Sequence, residues 1–160
     1  MNFRIGFGYD VHRFAENRRL ILGGVEIQHD FGLEGHSDAD VLLHAITDAV
    51  LGAAALGDIG THFPDSDPAY KNADSSILLK DAYSKVLKKN LILINLDATV
   101  VAEKPVLNPF IGKIRESIAA IMNTDISNVS VKATTNEKMG SVGRGEGIAV
   151  HAIALLGEDK

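Results

Sequence analysis

One segment near the end of the chain restricts the possible folds more than any other. Residues 148–156 read Ile-Ala-Val-His-Ala-Ile-Ala-Leu-Leu, which is apolar at every position except the histidine. Side chains alternate between the two faces of a β-strand, so a strand of this kind needs cover on both faces. In a chain of 160 residues with few helices, one face is left for a second copy of the chain to cover. The segment therefore predicts a homo-oligomer.

The spacing of apolar residues predicts the other elements. Alternation with a period of two, or a short apolar run between turn residues, predicts strands at 3–9, 25–27, 93–102, 129–134 and 148–156. Apolar residues three and four positions apart predict helices at about 38–56, at about 74–89 and from Asn108 to Asn123. The expected fold is α/β (α+β), with one mixed sheet of four to five strands and three helices packed on one face. Residues 1–160 are expected to form a single domain.

Capping residues mark the predicted ends of these helices. Ser37 followed by Asp40 is similar to a capping box at the start of the first helix, and Gly57 suits its end. Asn108 and Pro109 are typical of an N-cap and a first turn. The N-cap residues Ser37 and Asn108 are expected to accept free backbone N–H groups at the helix starts.

The composition argues against several classes of function. The net charge is −5 and the basic residues are scattered, unlike the basic stripe of a nucleic-acid-binding protein. No apolar stretch is long enough to cross a bilayer, and the first residues lack the pattern of a secretory leader, so a cytoplasmic location is expected. The chain has no cysteine and six histidines. A tightly bound transition metal must therefore be held by imidazole and carboxylate groups.

One constellation is suited to such a metal. Asp10 and His12 lie on one side of an extended segment, and His44 on the first predicted helix can add a third ligand. Three protein ligands leave one coordination position open, which is the arrangement of a catalytic zinc. An Asp-x-His pair is also common at an exposed strand end, and spacing alone does not decide between the two.

Two polar segments of the first half have alternative explanations. His36 and Ser37 precede the first helix, where N–H groups and the helix dipole favour a phosphate, although simple capping explains the same residues. Asp58, Asp65 and Asp67 crowd one loop with prolines. They are suited to sugar hydroxyls or Mg²⁺, and equally to forming turns.

The second half of the chain contains two more candidate segments. Residues 134–137 follow a predicted strand with two threonines, an asparagine and a glutamate, which suit a diphosphate and its cation or a plain loop. The glycine-rich residues 140–147 lack the Gly-Lys-Ser/Thr ending of a phosphate-binding loop. Arg144 and Glu146 would share a face of a strand and could pair across a subunit interface. His151 is predicted to be an interface histidine.

Several motifs, taken in order, resemble those of the 2-C-methyl-D-erythritol 2,4-cyclodiphosphate synthases, a family of enzymes of the non-mevalonate isoprenoid pathway. They are residues 8–12, 36–41, 44–49, 57–60, 63–65, 132–135 and 143–147, so the resemblance runs nearly end to end. It implies a homotrimer of α/β subunits, with one sheet face in the trimer core and active sites between neighbours. It also implies a metal-dependent lyase that converts 4-diphosphocytidyl-2-C-methyl-D-erythritol 2-phosphate to 2-C-methyl-D-erythritol 2,4-cyclodiphosphate and releases CMP.

The resemblance assigns roles to individual residues. Asp10, His12 and His44 match the ligands of one Zn²⁺ per subunit, and Glu137 matches a ligand of a second cation, Mg²⁺ or Mn²⁺. Catalytic residues that position the phosphates are matched by His36 and Thr135. Five of these residues also match substrate contacts: Asp10, His12, His36, Thr135 and Glu137. The other matched substrate contacts are Ser37, Asp58, Ile59, Gly60, Phe63, Pro64, Asp65, Ala102, Lys104, Pro105, Leu107, Thr134, Asn136 and Arg144.

Two positions depart from the family pattern, and two other functions fit the same residues. Ser141 and Tyr9 stand where phenylalanine is frequent, and Ser141 weakens the expectation that a central trimer channel binds an isoprenoid diphosphate near Arg144. A metal-dependent phosphohydrolase would use the same open zinc to activate water. A trimeric binding module for isoprenoid diphosphates would be built around Arg144 and the apolar last strand.

Overall fold

The computed structural model describes residues 2–159 and is organised around a five-stranded sheet. The strands are β1 (Phe3–Ala15), β2 (Leu20–Leu22), β3 (Val25–Ile27), β4 (Gly32–Leu33), β5 (Leu91–Val101), β6 (Val129–Thr134) and β7 (Gly147–Glu158). The sheet has the order β4-β1-β7-β5-β6, and β2 pairs with β3 in a separate hairpin. β5 and β6 run parallel, whereas β7 pairs antiparallel with both β1 and β5. The doubly apolar segment is therefore the central strand, and the predicted mixed sheet is confirmed.

The helices are α1 (Val41–Ala53), α2 (Ile59–His62), α3 (Ser75–Leu87), α4 (Ile111–Met122) and α5 (Gly140–Gly143), with 3₁₀ turns at Pro68–Tyr70, Asn108–Phe110 and Ile126–Asn128. The three long helices lie on one face of the sheet. The three predicted helices correspond to α1, α3 and α4. α1 packs on β1 and β7, α4 packs on β6, and α3 packs mainly on α1. Within residues 2–159, no helix is both long and apolar enough to span a membrane.

Two glycines of β1 let α1 approach the sheet closely. A Cβ atom added to Gly6 would lie 1.9 Å from the carbonyl oxygen of Ala49, and one added to Gly8 would lie 1.9 Å from that of Ala45. Any side chain at either position would collide with the helix backbone. This contact places His44 of α1 against the residues of β1 that follow Gly8.

The two faces of the sheet differ in their cover. We call the face that packs on the helices the covered face and the opposite one the uncovered face. The covered face carries the β1 glycines and a set of buried apolar residues, namely Leu96, Ala98, Val100, Ile148, Val150, Ala152, Ala154 and Leu156. The uncovered face carries larger apolar side chains that are exposed in the single chain: Phe3, Ile5, Phe7, Tyr9, Val11 and Ile153. The sequence predicted the alternation of residues 3–9 correctly, but the large residues point away from the helices.

The uncovered face is apolar on β1 and β7 and polar on the other two long strands. The polar part, across β5 and β6, consists of Asn95, Asp97, Thr99, Ser130, Lys132 and Thr134. Lys132 and Asp97 form an ion pair there. A partner that covers this face therefore meets one apolar and one polar half.

The start of α1 differs from the prediction. Asp40, not Ser37, caps the helix and accepts the N–H of Leu43 at 3.0 Å. Its carboxylate, which is fully buried, also accepts the N–H groups of Gly23 and Gly24. Burial raises the pKa of Asp40 to about 6 in spite of these hydrogen bonds. The Asp40 side chain thus ties the β2–β3 turn to the first turn of α1, which is a contact between distant residues that a local capping pattern does not reveal.

Other helix ends are partly as predicted. Asn108 and Pro109 form a 3₁₀ turn before α4, and α4 has no side-chain cap. At its C-terminus Asn123 adopts the left-handed conformation with φ 48°, as predicted for the end of this helix. α1 ends at Ala53, four residues before Gly57.

Candidate metal centre

Asp10, His12 and His44 converge on one point at the end of the covered face. Asp10 Oδ2 lies 2.9 Å from His12 Nε2 and 3.1 Å from His44 Nδ1, and the two ring nitrogens are 3.2 Å apart. Among residues 2–159, this is the one group of three or more acidic or histidine side chains close enough to share an ion. The three ligands that spacing alone left undecided are therefore brought together by the packing of α1 on β1.

The size of this triangle fits a small transition metal ion. Zinc held in tetrahedral geometry at about 2.0–2.1 Å from each ligand has ligand–ligand distances of about 3.3 Å. The three measured distances are slightly shorter than this. A carboxylate and two imidazoles are also the ligand types that a chain without cysteine can offer to such an ion.

Hydrogen bonds on the far side of each ring orient the two imidazoles. His12 Nδ1 contacts the backbone carbonyl of Glu34, so Nδ1 carries the proton and Nε2 faces the triangle. The Nε2 atom of His44 lies 3.1 Å from the Ser37 hydroxyl and 3.0 Å from the Ser75 hydroxyl, while Nδ1 faces the triangle. Second contacts of this kind are typical of metal-binding histidines.

The electrostatics of the triangle also favour a cation. Burial alone would raise the pKa of Asp10. Without a metal, His12 and His44 rings that are protonated on both nitrogens donate hydrogen bonds to the carboxylate, and these bonds and the charge of the rings hold its pKa well below its usual range. Burial alone would lower the pKa of His12, but the contact with Asp10 outweighs it and raises the pKa. The carboxylate is therefore ionised at neutral pH and favours positive charge beside it.

A cleft of ≈ 390 Å³ opens beside the triangle. Its lining includes the three ligand residues and most of the predicted contacts of the first half, namely His36, Ser37, Ile59, Gly60, Phe63, Pro64 and Asp65. His36 Nε2 is buried and has no hydrogen-bond partner among residues 2–159. Because buried polar atoms are nearly always paired, this nitrogen is suited to a polar group of a ligand in the cleft.

The acidic loop combines cleft residues with turn-forming residues. Asp58 caps α2 by accepting the N–H and hydroxyl of Thr61, and Asp67 caps the following 3₁₀ turn. Asp65 lines the cleft, whereas Asp58 is not part of its lining. The turn-forming explanation therefore describes the observed contacts of Asp58 and Asp67.

Sequence reasoning missed three side chains that line the cleft, those of Asp48, Tyr70 and Leu78. Asp48 lies on α1, one turn after His44, and accepts the N–H of Ile59 at 2.7 Å. Burial raises its pKa. A carboxylate one helical turn from a candidate ligand was the signal that could have identified it.

The predicted nucleotide and diphosphate residues form a second cluster. Thr135 donates its hydroxyl to the Glu137 carboxylate at 3.1 Å, and Glu103 accepts the N–H of Asn136 at 2.9 Å. Glu103 thereby connects the two segments 102–107 and 134–137. It was not predicted from the sequence.

This second cluster is separated from the metal ligands of the same chain. Asp10 pairs with Val150 of β7, which pairs with Val100 of β5, which in turn pairs with Ala133 of β6. The three spacings between neighbouring strands, from β1 to β6, add up to about 14 Å. None of residues 102–107 or 134–137 lines the cleft. One chain thus presents two half-sites rather than one continuous pocket.

The remaining predicted residues lie elsewhere. Arg144 follows α5 and pairs with Glu146 of the same chain at 2.6 Å, so the pairing predicted between subunits is formed within one. His151 is exposed on the uncovered face beside Phe7 and Tyr9. Its position at a subunit interface stays a prediction.

Comparison with known proteins connects this geometry to an activity. A model of the YgbB family matches residues 3–157. A curated 2-C-methyl-D-erythritol 2,4-cyclodiphosphate synthase from Brachyspira hyodysenteriae is 56% identical over 157 residues, which are 98% of this chain and 99% of that protein. One from Geobacter sulfurreducens is 59% identical over 155 residues, which are 97% of this chain and 99% of that protein.

Solved structures agree with these relatives. The bifunctional IspDF from Campylobacter jejuni matches with a TM-score of 0.95 and 48% identity over 98% of this chain, which spans 42% of that longer protein. IspF from Plasmodium falciparum, solved as a CDP complex, matches with a TM-score of 0.87 and 36% identity over 99% of this chain and 98% of that one. Both likenesses cover the sheet and the helices that hold the candidate metal ligands.

Proposed function

This chain belongs to the YgbB family, and from that membership we propose that it converts 4-diphosphocytidyl-2-C-methyl-D-erythritol 2-phosphate to 2-C-methyl-D-erythritol 2,4-cyclodiphosphate with release of CMP. It is a cyclodiphosphate synthase, a lyase of isoprenoid biosynthesis. The observation that carries the proposal is the triangle of Asp10, His12 and His44, which opens into a cleft lined by polar groups.

Asp10, His12 and His44 would hold one Zn²⁺, because their ligand atoms and spacing suit that ion. Glu137, whose carboxylate is exposed at the second half-site, would hold a Mg²⁺ or Mn²⁺. When bound, such cations offset the repulsion between phosphates and stabilise negative charge on their oxygens.

The residues of the chain have mainly a positioning task in this reaction. An oxygen of the 2-phosphate forms a bond to the β-phosphorus, and the bond from that phosphorus to the oxygen of CMP breaks. No external nucleophile takes part. Holding both phosphates in line can lower the barrier by several kcal/mol, up to about 10.

Individual residues support this positioning. His36 lines the cleft, and its unpaired Nε2 is suited to a phosphate oxygen. Ile59, Gly60, Phe63, Pro64 and Asp65 line the part of the cleft proposed for the erythritol. The hydroxyl of Thr135 would position the diphosphate at the second half-site. Cytidine would be bound by the segment that contains Ala102, Lys104, Pro105 and Leu107.

We place the complete site between subunits of a homotrimer. The uncovered apolar face supports association of copies. The separation of about 14 Å between the half-sites supports completion of each site by a neighbour. An isoprenoid diphosphate near Arg144 stays a prediction, because that guanidinium already pairs with Glu146.

Product analysis tests the function. Purified protein is incubated with the cytidine diphosphate substrate, Zn²⁺ and Mg²⁺, and the products are separated by mass spectrometry and ³¹P NMR. We expect CMP and a cyclic diphosphate in equal amounts. A linear phosphate product would show a phosphohydrolase instead, and binding of isoprenoid diphosphate that survives replacement of Asp10 and His12, without turnover, would show a binding module.

A further inference from the structure

We infer that Asp38 and Ser75, which lie behind His44 and outside the cleft, fix the tautomer of that histidine and so direct its Nδ1 lone pair to the metal. Both act as positioning residues. The inference rests on the proposed metal site, but it is independent of the reaction that the metal serves.

A chain of hydrogen bonds carries this inference. The Ser75 hydroxyl donates to Asp38 Oδ1, and the Ser75 backbone N–H donates to Asp38 Oδ2 at 3.1 Å. Ser75 Oγ lies 3.0 Å from His44 Nε2. Ser75 is fully buried, so its hydroxyl is confined to these protein partners. His44 is thereby linked through one hydroxyl to one carboxylate.

The direction of each hydrogen bond follows from the chemistry of the partners. An ionised carboxylate can only accept, so the Ser75 proton must lie toward Asp38. The oxygen of Ser75 is then an acceptor for His44, and Nε2 must carry the imidazole proton. A neutral imidazole protonated at Nε2 has its lone pair on Nδ1, the atom that faces Asp10 and His12.

The other hydroxyl near His44 does not specify the tautomer in this way. Ser37 Oγ is 3.1 Å from His44 Nε2 and accepts the N–H of Ala39 at 3.1 Å. Its own proton is not committed to a carboxylate, so Ser37 can either donate to His44 or accept from it. The carboxylate of Asp38 is what makes the arrangement unidirectional.

The two metal-binding histidines therefore differ in how their tautomers are set. The proton of His12 is held by the backbone carbonyl of Glu34, which no side-chain substitution removes. For His44 the corresponding partners are side chains at the starts of two helices, with Asp38 just before α1 and Ser75 as the first residue of α3. Only the second arrangement can be reversed by substitution.

Asp38→Asn is the variant that tests this reversal. The new amide can donate to Ser75 Oγ, whose proton then turns to His44 Nε2 and drives the imidazole proton to Nδ1. We expect zinc affinity, measured by competition with a chromophoric chelator, to fall by about 10- to 100-fold. Asp74→Asn is the matched control, because Asp74 caps the same helix through the N–H of Ser76. Its zinc affinity should equal that of the wild type.

The tautomer is measured separately in metal-free protein, by long-range ¹H–¹⁵N NMR of the imidazole nitrogens. Because the Asp10 carboxylate, 3.1 Å from His44 Nδ1, competes for the proton in metal-free protein, the comparison between variants is the test. We expect a smaller fraction of His44 to carry its proton on Nε2 in Asp38→Asn than in the wild type. Circular dichroism and the thermal midpoint show that each variant is folded. Wild-type affinity together with an unchanged tautomer in Asp38→Asn would overturn the inference.

Two further results separate the possible failures. If Asp38→Asn does not fold, Ser75→Ala interrupts the same chain while keeping Asp38 and Ser37, and its zinc affinity should fall by about 10-fold. Unchanged affinity in that variant would also overturn the inference. If the wild type itself binds no zinc, the proposed function fails, and the tautomers in metal-free protein still decide the role of Asp38.

Discussion

The covered and uncovered faces of the sheet come from the same strands but are opposite in side-chain size. On β1 the covered face has Gly6 and Gly8, whereas the uncovered face has phenylalanines, an isoleucine and a tyrosine. The covered face is sealed by α1 within the chain. In the single chain, the large apolar groups of the uncovered face are exposed, Ile5 by 71%. The difference shows that the helices need a flat surface for close approach, while the bulky side chains are available for another molecule.

The largest expected effect is a loss of zinc binding and turnover without a loss of folding, when a metal ligand at the covered face is replaced. His44→Ala removes one of three metal ligands, so we expect zinc to be lost and turnover to fall at least about 1,000-fold, which is about 4 kcal/mol. The fold should remain, because His44 lies at the margin of the buried surface of α1. Metal content, turnover and circular dichroism are measured. His151→Ala, on the uncovered face, is the control and should retain one zinc per chain. Full activity of metal-stripped His44→Ala protein would contradict the site.

The next effect tests the close approach of α1 to β1. Gly8→Ala places a methyl group 1.9 Å from the carbonyl oxygen of Ala45, so α1 must move away from the sheet. We expect a loss of about 3 kcal/mol or more in the free energy of unfolding. Urea unfolding measures it. A cost below about 1 kcal/mol would mean that the helix yields easily and does not position His44 rigidly.

A smaller effect decides whether the uncovered face is covered in solution. Ile5→Ala should cost about 2–3 kcal/mol per subunit if partner subunits bury this side chain. If the face stays in water, the cost should be within about 0.5 kcal/mol. Unfolding is followed at several protein concentrations, since the midpoint of an oligomer depends on concentration. A monomer by light scattering at micromolar concentration, with a small cost, would contradict the proposed trimer.

The smallest effect concerns the polar half of the uncovered face. The hydrogen bond from Lys132 lowers the pKa of Asp97. A carboxyl group with a lowered pKa in the folded state stabilises the protein above its unfolded pKa, and that contribution is lost as pH falls through the folded pKa. Because the pair is half exposed, Asp97→Asn should cost only about 0–1 kcal/mol at pH 7. The difference in the free energy of unfolding between Asp97→Asn and the wild type should vanish in strongly acidic buffer. A difference that grows as the pH falls would contradict a lowered pKa of Asp97.

Much of the fold was accessible from the sequence, because spacing alone determines which residues share a side of an element. The three long helices and the central strand were predicted in this way. The direction of the large residues of β1 was not, since a period of two identifies two faces but not which one meets a helix. A register shift between Leu93 and Asn95 and the cap at Asp40 also escaped prediction, because both depend on partners far along the chain.

The candidate site was predicted unevenly for the same reason. Asp10 and His12 are two residues apart, so their proximity follows from strand geometry. That His44 joins them depends on the fit of α1 to two glycines. Asp38, Ser75 and Glu103 make hydrogen bonds between distant segments. Asp38 lies within the motif at residues 36–41, but no local pattern predicts these contacts.

Because the two half-sites are separated, mixed trimers of two inactive variants are expected to regain activity. In the proposed trimer, one copy supplies the metal ligands of a site and its neighbour supplies Thr135 and Glu137. Two variants that are each inactive, one altered at His44 and one at Glu137, would then complement each other when co-assembled. Random mixing in equal amounts would restore about a quarter of the sites. Two mutations in this one gene, each of which abolishes activity alone, would thus show intragenic complementation.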